Sequence, residues 1–287
     1  MRTSLLIIGL SLSACSAGGQ GAAKFTTWGE EYIEQEVPAD ASGESGFVDG
    51  WTVKYDKFLV VFHAIEVASS DGEVGAVMSG SKFVDNVVPG RKDLITFADL
   101  EAKHWDRVSY QIKPALADSE VVAGSTADRD MMAANGYSIY VSGHATKSVN
   151  GQLIQKTFHW GFKTATQYSD CLQSSESGQP LEGIVVTNGG TDTSELTTHG
   201  DHFFYDRLMS SPNPAVKTSL RFEEKAAADT NDDGEITLEE LLAQNIDVRL
   251  YDPSGFDAPK LGLFMTALAR TVGHFRGEGE CRVSAIP

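Results

Sequence analysis

The chain has 287 residues, 41% apolar and 22% charged, with 28 glycines. That is the profile of a folded globular protein and not of a disordered or collagen-like one. With 23 basic against 40 acidic residues the formal charge is −17. A surface so acidic repels phosphate backbones and anionic lipid faces, so nucleic-acid binding is disfavoured and cation binding favoured.

The first elements read as export signals. Met1-Arg2-Thr3-Ser4 precedes an apolar run from Leu5 to Leu12 and then Ser13-Ala14-Cys15. A basic start, an apolar stretch too short to stay in a bilayer and small residues before a cleavage point predict a secretory signal over residues 1–14. The segment Leu12-Ser13-Ala14-Cys15 resembles the lipobox of bacterial lipoproteins. The resemblance implies that Cys15 carries a lipid and becomes the first mature residue, and that the protein is attached to the membrane without a transmembrane helix. Ser16 in place of Asp after it implies the outer membrane. Residues 15–50, rich in Gly, Ala, Ser and acids, are expected to form a flexible tether with Trp28 and Tyr32 as anchors.

From 51 to 212 the pattern is that of short strands. Trp51 to Tyr55, Phe58 to Val67, Gly75 to Met78, Asp93 to Phe97, Arg107 to Ile112, Tyr137 to Thr146, Leu153 to Lys163, Gly183 to Thr187 and Phe203 to Leu208 carry β-branched and aromatic residues between turn signals. Asp99 to His104 and Asp128 to Ala134 are expected as single helical turns. A β-sandwich or open barrel follows. Asn150-Gly151 is a two-residue hairpin signal, and pairing outward from it sets Val141 opposite Trp160 and Ile139 opposite Phe162 on an apolar face. The same register puts Ser142 opposite His159 and His144 opposite Thr157 on a polar face.

With Cys15 assigned to lipid, Cys171 and Cys281 remain, and an oxidising compartment makes a disulfide between them the expected state; a thiolate metal pair is the alternative. Beyond residue 213 the chain turns helical, with pieces expected over Lys217 to Ala228, Leu238 to Gln244 and Pro259 to Val272. The last of these carries a stripe of Leu261, Phe264, Met265, Leu268 and Val272 to pack on the sheet.

The sharpest motif is Asp229-Thr230-Asn231-Asp232-Asp233-Gly234-Glu235-Ile236-Thr237-Leu238-Glu239-Glu240, which resembles the EF-hand calcium loop. A hard cation wants six to eight oxygens at about 2.3 to 2.6 Å, and a short loop supplies them only where glycine permits a sharp turn. The resemblance implies Ca²⁺ bound by the side chains of Asp229, Asn231 and Asp233, the carbonyl of Glu235, Thr237, and both oxygens of Glu240. It departs from a full EF-hand at Lys225 and Ala228, where large apolar residues are usual, and in having no second loop. A structural site follows from this better than a sensor.

Seven histidines stand at 63, 104, 144, 159, 199, 202 and 274. His144 with His159, diagonal on the hairpin's polar face, and His199 with His202 form two pairs suited to copper or zinc. His63 is expected in the core, and His274 against the carbonyls ending the last helix. No G-x-S-x-G, H-E-x-x-H, phosphate-loop or dinucleotide fingerprint is present, so an enzyme is not expected. The chain thus reads as an exported, calcium-binding envelope lipoprotein with a structural or binding role. A periplasmic copper or zinc protein using the histidine pairs is the alternative, and an unrecognised hydrolase a further one.

Overall fold

The fold is organised around one strand of seventeen residues, Thr52–Ala68, whose middle, Phe58 to Phe62, is buried on both faces. Such a run forms because β-branched and aromatic side chains fit a pleated surface covered on both sides. In the computed structural model, which describes residues 18–173, 180–208, 213 and 216–286, this strand is the centre of a ten-stranded sheet. The signal segment 1–14 and Cys15 lie outside the described residues. Thr52–Ala68 pairs with Ile139–Val149 along its first half, and with Arg107–Ile112, Ser81–Asp85 and Val74–Val77 along its second. Its register shifts between Tyr55 and Lys57, where the two strands expected from the sequence run into one.

The hairpin of Ile139–Val149 and Gln152–Phe162 has the expected register throughout, including Val149 with Gln152, Gly143 with Phe158, Val141 with Trp160 and Ser142 with His159. Asn150 and Gly151 take φ of 52° and 80°, the left-handed conformations that a tight turn of this kind requires. Val141, Phe158, Trp160 and Phe162 are buried on its inner face.

A second, four-stranded sheet has the order Gly273–Phe275, Thr191–Thr198, Gln20–Trp28, Lys92–Glu101. Here the expected tether is corrected. Its glycines and alanines are interspersed with Phe25, Ile33, Val37 and Phe47, all fully buried, so the segment has enough apolar surface to order itself. Gln20–Trp28 runs parallel to Thr191–Thr198, a pairing between residues far apart in sequence. Both sheets contribute to one hydrophobic core. The fold is therefore mainly β, with two sheets sharing one interior.

Three other expectations are corrected. Phe203 to Leu208 is not a strand; it begins within a 3₁₀ turn, Asp201–Phe204, because both phenylalanines are buried and a strand would have placed them on opposite faces. Asp99 to His104 is not helical: Lys92–Glu101 continues through Asp99, which takes φ of 59°, and His104–Trp105 is a short strand. The helix expected over Lys217 to Ala228 shrinks to Glu223–Ala226, since Leu220 is drawn into the core by bridges to Phe47 and Tyr205 and Phe222 is buried just ahead of the helix in non-helical backbone. Lys225 is buried there, donating to the carbonyl of Arg221. Burial holds its amine down at about 8.

The two later helices occupy Leu238–Ala243 and Leu261–Leu268, and Leu261, Phe264, Met265, Leu268 and Val272 are all buried. The section after residue 213 also returns to strand, contributing Gly273–Phe275 to the smaller sheet and Arg282–Ala285 to the larger. Among the described residues no helix is long and apolar enough to cross a membrane. Cys171 and Cys281 are disulfide-bonded across 110 positions. Closing a loop of that length stabilises by about 4 to 5 kcal/mol in the chain-entropy model, with measured values commonly nearer 2 to 4. Cys281→Ser is therefore expected to lower the free energy of unfolding by about 2 to 4 kcal/mol in a guanidinium titration.

Candidate metal centre

Three buried histidines meet where the smaller sheet runs into the 3₁₀ turn. His199 directly follows Thr191–Thr198, and its amide donates to the carbonyl of Val272 at 2.8 Å. Gly200 is needed next. A Cβ there would lie 2.5 Å from Ile33 Cγ1 and 3.0 Å from the Tyr55 ring, whose hydroxyl donates to the Gly200 carbonyl at 2.6 Å. The turn then sinks Phe203 onto Phe162 at 5.1 Å between ring centres and Phe204 against Trp160 at 6.1 Å. His202, one residue earlier, is left beside His199.

The third imidazole comes from the other end of the chain. Gly273–Phe275 pairs antiparallel with Thr191–Thr198, placing His274 opposite Thr197. Gly273 must be small, because a Cβ would meet the hydroxyl of Tyr110 at 2.6 Å and the ring of Tyr168 at 2.8 Å. The ring centre of His274 lies 4.1 Å from that of His199 and 5.1 Å from that of His202, with His199 and His202 5.3 Å apart. One nitrogen from each lies within 4.8 Å of the others, so the three could hold a metal ion.

Neighbouring groups orient the rings. His199 Nδ1 lies 2.6 Å from Glu30 Oε1, an ion pair at close approach rather than a well-aligned hydrogen bond. His202 Nδ1 is 2.9 Å from Thr271 Oγ1. Each contact occupies Nδ1, the arrangement in which an outer carboxylate or hydroxyl fixes a ligating imidazole, and Nε2 of His199 has only a long contact, 3.5 Å, to the Gly277 carbonyl. His274 Nδ1 is buried with no hydrogen-bond partner, which costs about 1 to 3 kcal/mol unless something binds it. Glu30 adopts φ of 55°, a left-handed conformation costing on the order of 1 kcal/mol or more at a non-glycine residue. A second group, Glu30, His199 and Glu278, shares His199 with the first.

Burial, reinforced by the other two imidazoles, holds His202 well below the usual histidine range. Burial, with His199 adding to it, pushes His274 down to about 3. For His199 burial acts in the same downward sense, but the contact and charge of Glu30 outweigh it and raise the imidazole above its ordinary value. Asp201 beneath them is raised, chiefly by burial, and accepts a hydrogen bond from Tyr205 at 2.9 Å. Two of the three imidazoles are thus neutral, the form that binds metal.

The other expected ligands are placed elsewhere. His144 and His159 stand part-exposed on the hairpin's polar face, near Asp56 at 3.5 Å and Glu235 at 2.8 Å respectively. Neither belongs to a group of three potential ligands among the described residues. Of the two expected pairs, only His199 and His202 lie in such a group. His63 is buried, with Nε2 3.1 Å from the carbonyl of Pro114, and stays below its usual range chiefly through burial. His274 was expected against helix carbonyls, yet the helix ends at Leu268 and His274 lies in a strand. Glu30 and Glu278 carried no signal in the sequence beyond being acids in an acidic chain.

The acidic loop turns at Gly234, φ 85°. Asp229 accepts from the amides of Asp233 at 3.2 Å and Gly234 at 2.9 Å, Asn231 from Asp233 at 3.0 Å, and Asp233 from Glu235 at 2.8 Å. Glu235–Thr237 pairs in parallel with Gln152–Phe162, setting Ile236 opposite Phe158, and Trp160 Nε1 donates to the Ile236 carbonyl at 3.0 Å. That pairing docks the loop on the edge of the large sheet. Thr237 and Glu240 form a reciprocal cap on Leu238–Ala243, and Lys156 pairs with Asp229 at 2.5 Å. No three carboxylates of the loop lie within 4.8 Å of one another.

Compared with known proteins, the chain matches no family model, no curated protein and no solved structure.

The titration of the cluster is measurable through stability. His202 and His274, depressed in the folded state, take up protons more readily when unfolded, so they remove stability as pH falls below about 6.5. His199, raised when folded, acts in the opposite sense, losing its contribution as pH rises through its elevated value. Metal-free protein is accordingly expected to melt at lower temperature at about pH 5 than at about pH 7, and His274→Asn to flatten that slope.

Proposed function

We propose that this protein is an exported metal-binding protein of the cell envelope, holding one transition-metal ion between His199, His202 and His274. The observation that carries the reading is the convergence of three buried imidazoles, two of them held neutral and one with an unpartnered buried nitrogen. Imidazole donors suit copper and zinc, whereas calcium and magnesium prefer oxygen. Export is supported by the basic and apolar leader of residues 1–14, by the lipobox-like Leu12-Ser13-Ala14-Cys15 and by the Cys171–Cys281 disulfide. On this reading Cys15 anchors the protein to the outer membrane and the body faces an oxidising compartment where both metals are met.

Untagged protein purified without chelator is expected to carry about one copper or zinc by elemental mass spectrometry. His274→Ala should weaken metal binding at least about tenfold in a competition titration, while His144→Ala leaves it unchanged. Equal metal content in wild type and His274→Ala would refute the site.

The loop from Asp229 to Glu240 supports a second ion, calcium, with a structural role. What favours it is the docking of Ile236 on the sheet beside Trp160, which would let a bound cation hold the helical segments to the core. Calcium must displace Lys156 from Asp229 and turn Glu240 from its cap, so modest affinity is expected, on the order of 10⁻⁴ to 10⁻³ M as in other extracellular calcium modules. Millimolar calcium should raise the melting temperature of wild type and leave that of Glu240→Gln unmoved; identical melts with calcium and with EGTA would exclude the ion.

A further inference from the structure

We propose that a metal held by His199, His202 and His274 keeps one coordination position open toward an adjoining cavity, and that a small neutral Lewis base occupies it. The inference rests on the three-histidine reading above. Donor counting comes first. Among the described residues no fourth His, Cys, Asp or Glu joins the three imidazoles within 4.8 Å; Glu30 and Glu278 gather on His199 in a separate group. Nearby hydroxyls are already engaged, Tyr205 with Asp201 and Thr271 with His202. Zinc takes at least four ligands, and copper bound by imidazoles commonly does so too, so three imidazoles leave the shell incomplete.

The position of the gap follows from the cavity. A space of about 520 Å³ is walled in part by His202 and His274 themselves, together with Tyr205, Glu278, Glu280 and Val283. His199 does not line it. Two of the three ligands therefore face a volume large enough for water and for a molecule several times its size. Sites that close the shell with a fourth protein ligand are structural; three protein ligands beside an accessible cavity make a centre that binds an outside molecule.

Charge selects the class of that molecule. Glu278 and Glu280 stand in the wall. Arg207, the cation of the same wall, is engaged by Asp206 at 3.3 Å and Asp252 at 3.9 Å. An incoming anion would meet the like charge of Glu278 and Glu280 on its way to the metal, partly offsetting the attraction of the ion, whereas an uncharged donor such as water or an imidazole nitrogen would meet no such opposition.

The test uses the full mature protein loaded with Co²⁺, whose visible absorption reports coordination, titrated with imidazole and separately with azide. Imidazole is expected to shift the visible bands saturably with cobalt retained on gel filtration, and azide to require higher concentration. Val283→Trp, an exposed position in the cavity wall and no ligand, should lose the imidazole response while taking up Co²⁺ as wild type does. Bands that stay fixed at the highest imidazole concentration would overturn the open position. A Val283→Trp response equal to wild type would overturn the cavity as its route, and azide binding as readily as imidazole would overturn the preference for neutral ligands. Protein that takes up no Co²⁺, copper or zinc at all would remove the histidine site itself, an outcome distinct from the others.

Discussion

Burial of Phe204 is the contact on which the arrangement of this molecule depends. Its ring meets Phe47 from the N-terminal segment, Tyr55 from the central strand, Phe158 and Trp160 from the hairpin and Phe222 from the C-terminal section, all between 5.0 and 6.3 Å. Lys225 lies over the same ring at 5.8 Å. A large aromatic side chain removed from water contributes roughly 1.5 to 3 kcal/mol, and at this position the gain is available only when four distant pieces of chain have come together. The 3₁₀ turn that carries Phe204 inward is also the turn that carries His202, so packing of the core and the placement of the histidine cluster depend on the same turn.

That coupling explains why three imidazoles can be held where they would rather not be. Each is buried, and the charged form of any of them is penalised by its surroundings and by its neighbours. Only His199 has a carboxylate against it, from Glu30. The cluster is therefore costly for the protein alone, and the metal ion proposed for it would supply the missing partners. Strain at Glu30 and the close approaches at Gly200 and Gly273 lie around the same point.

The acidic loop is arranged differently. Its backbone hydrogen bonds are made internally by Asp229, Asn231 and Asp233, and its short strand completes the edge of the large sheet at Ile236. Trp160 links the acidic loop physically to the turn that carries His202, donating to the Ile236 carbonyl on one side and meeting Phe204 on the other. The loop thus belongs to the core through Ile236 and the buried Asp229, while Asp232, Asp233, Glu235 and Glu239 are exposed.

What the sequence by itself determined was local. Alternation and the Asn150-Gly151 turn set the hairpin register residue for residue, because a slip of one position would have turned Trp160 and Phe162 outward. The stripe on Leu261–Leu268 and the Cys171–Cys281 pair were equally legible, one from spacing and one from the lipobox resemblance, which assigns Cys15 to lipid and leaves these two cysteines to pair. Tertiary structure decided the rest. A glycine-rich stretch reads as a tether until Phe25 and Phe47 find cover, and that cover comes from strands far along the chain. His199 and His202 were visible as a pair because they stand three positions apart, and His144 with His159 looked as good because the hairpin register sets them diagonally on one face. Only the antiparallel pairing of Gly273–Phe275 with Thr191–Thr198 distinguished them, by bringing His274 to one pair and leaving the other facing water. Sequence spacing sees neighbours within one element; a metal centre is built from elements whose adjacency is set by sheet pairing, and no local pattern encodes that.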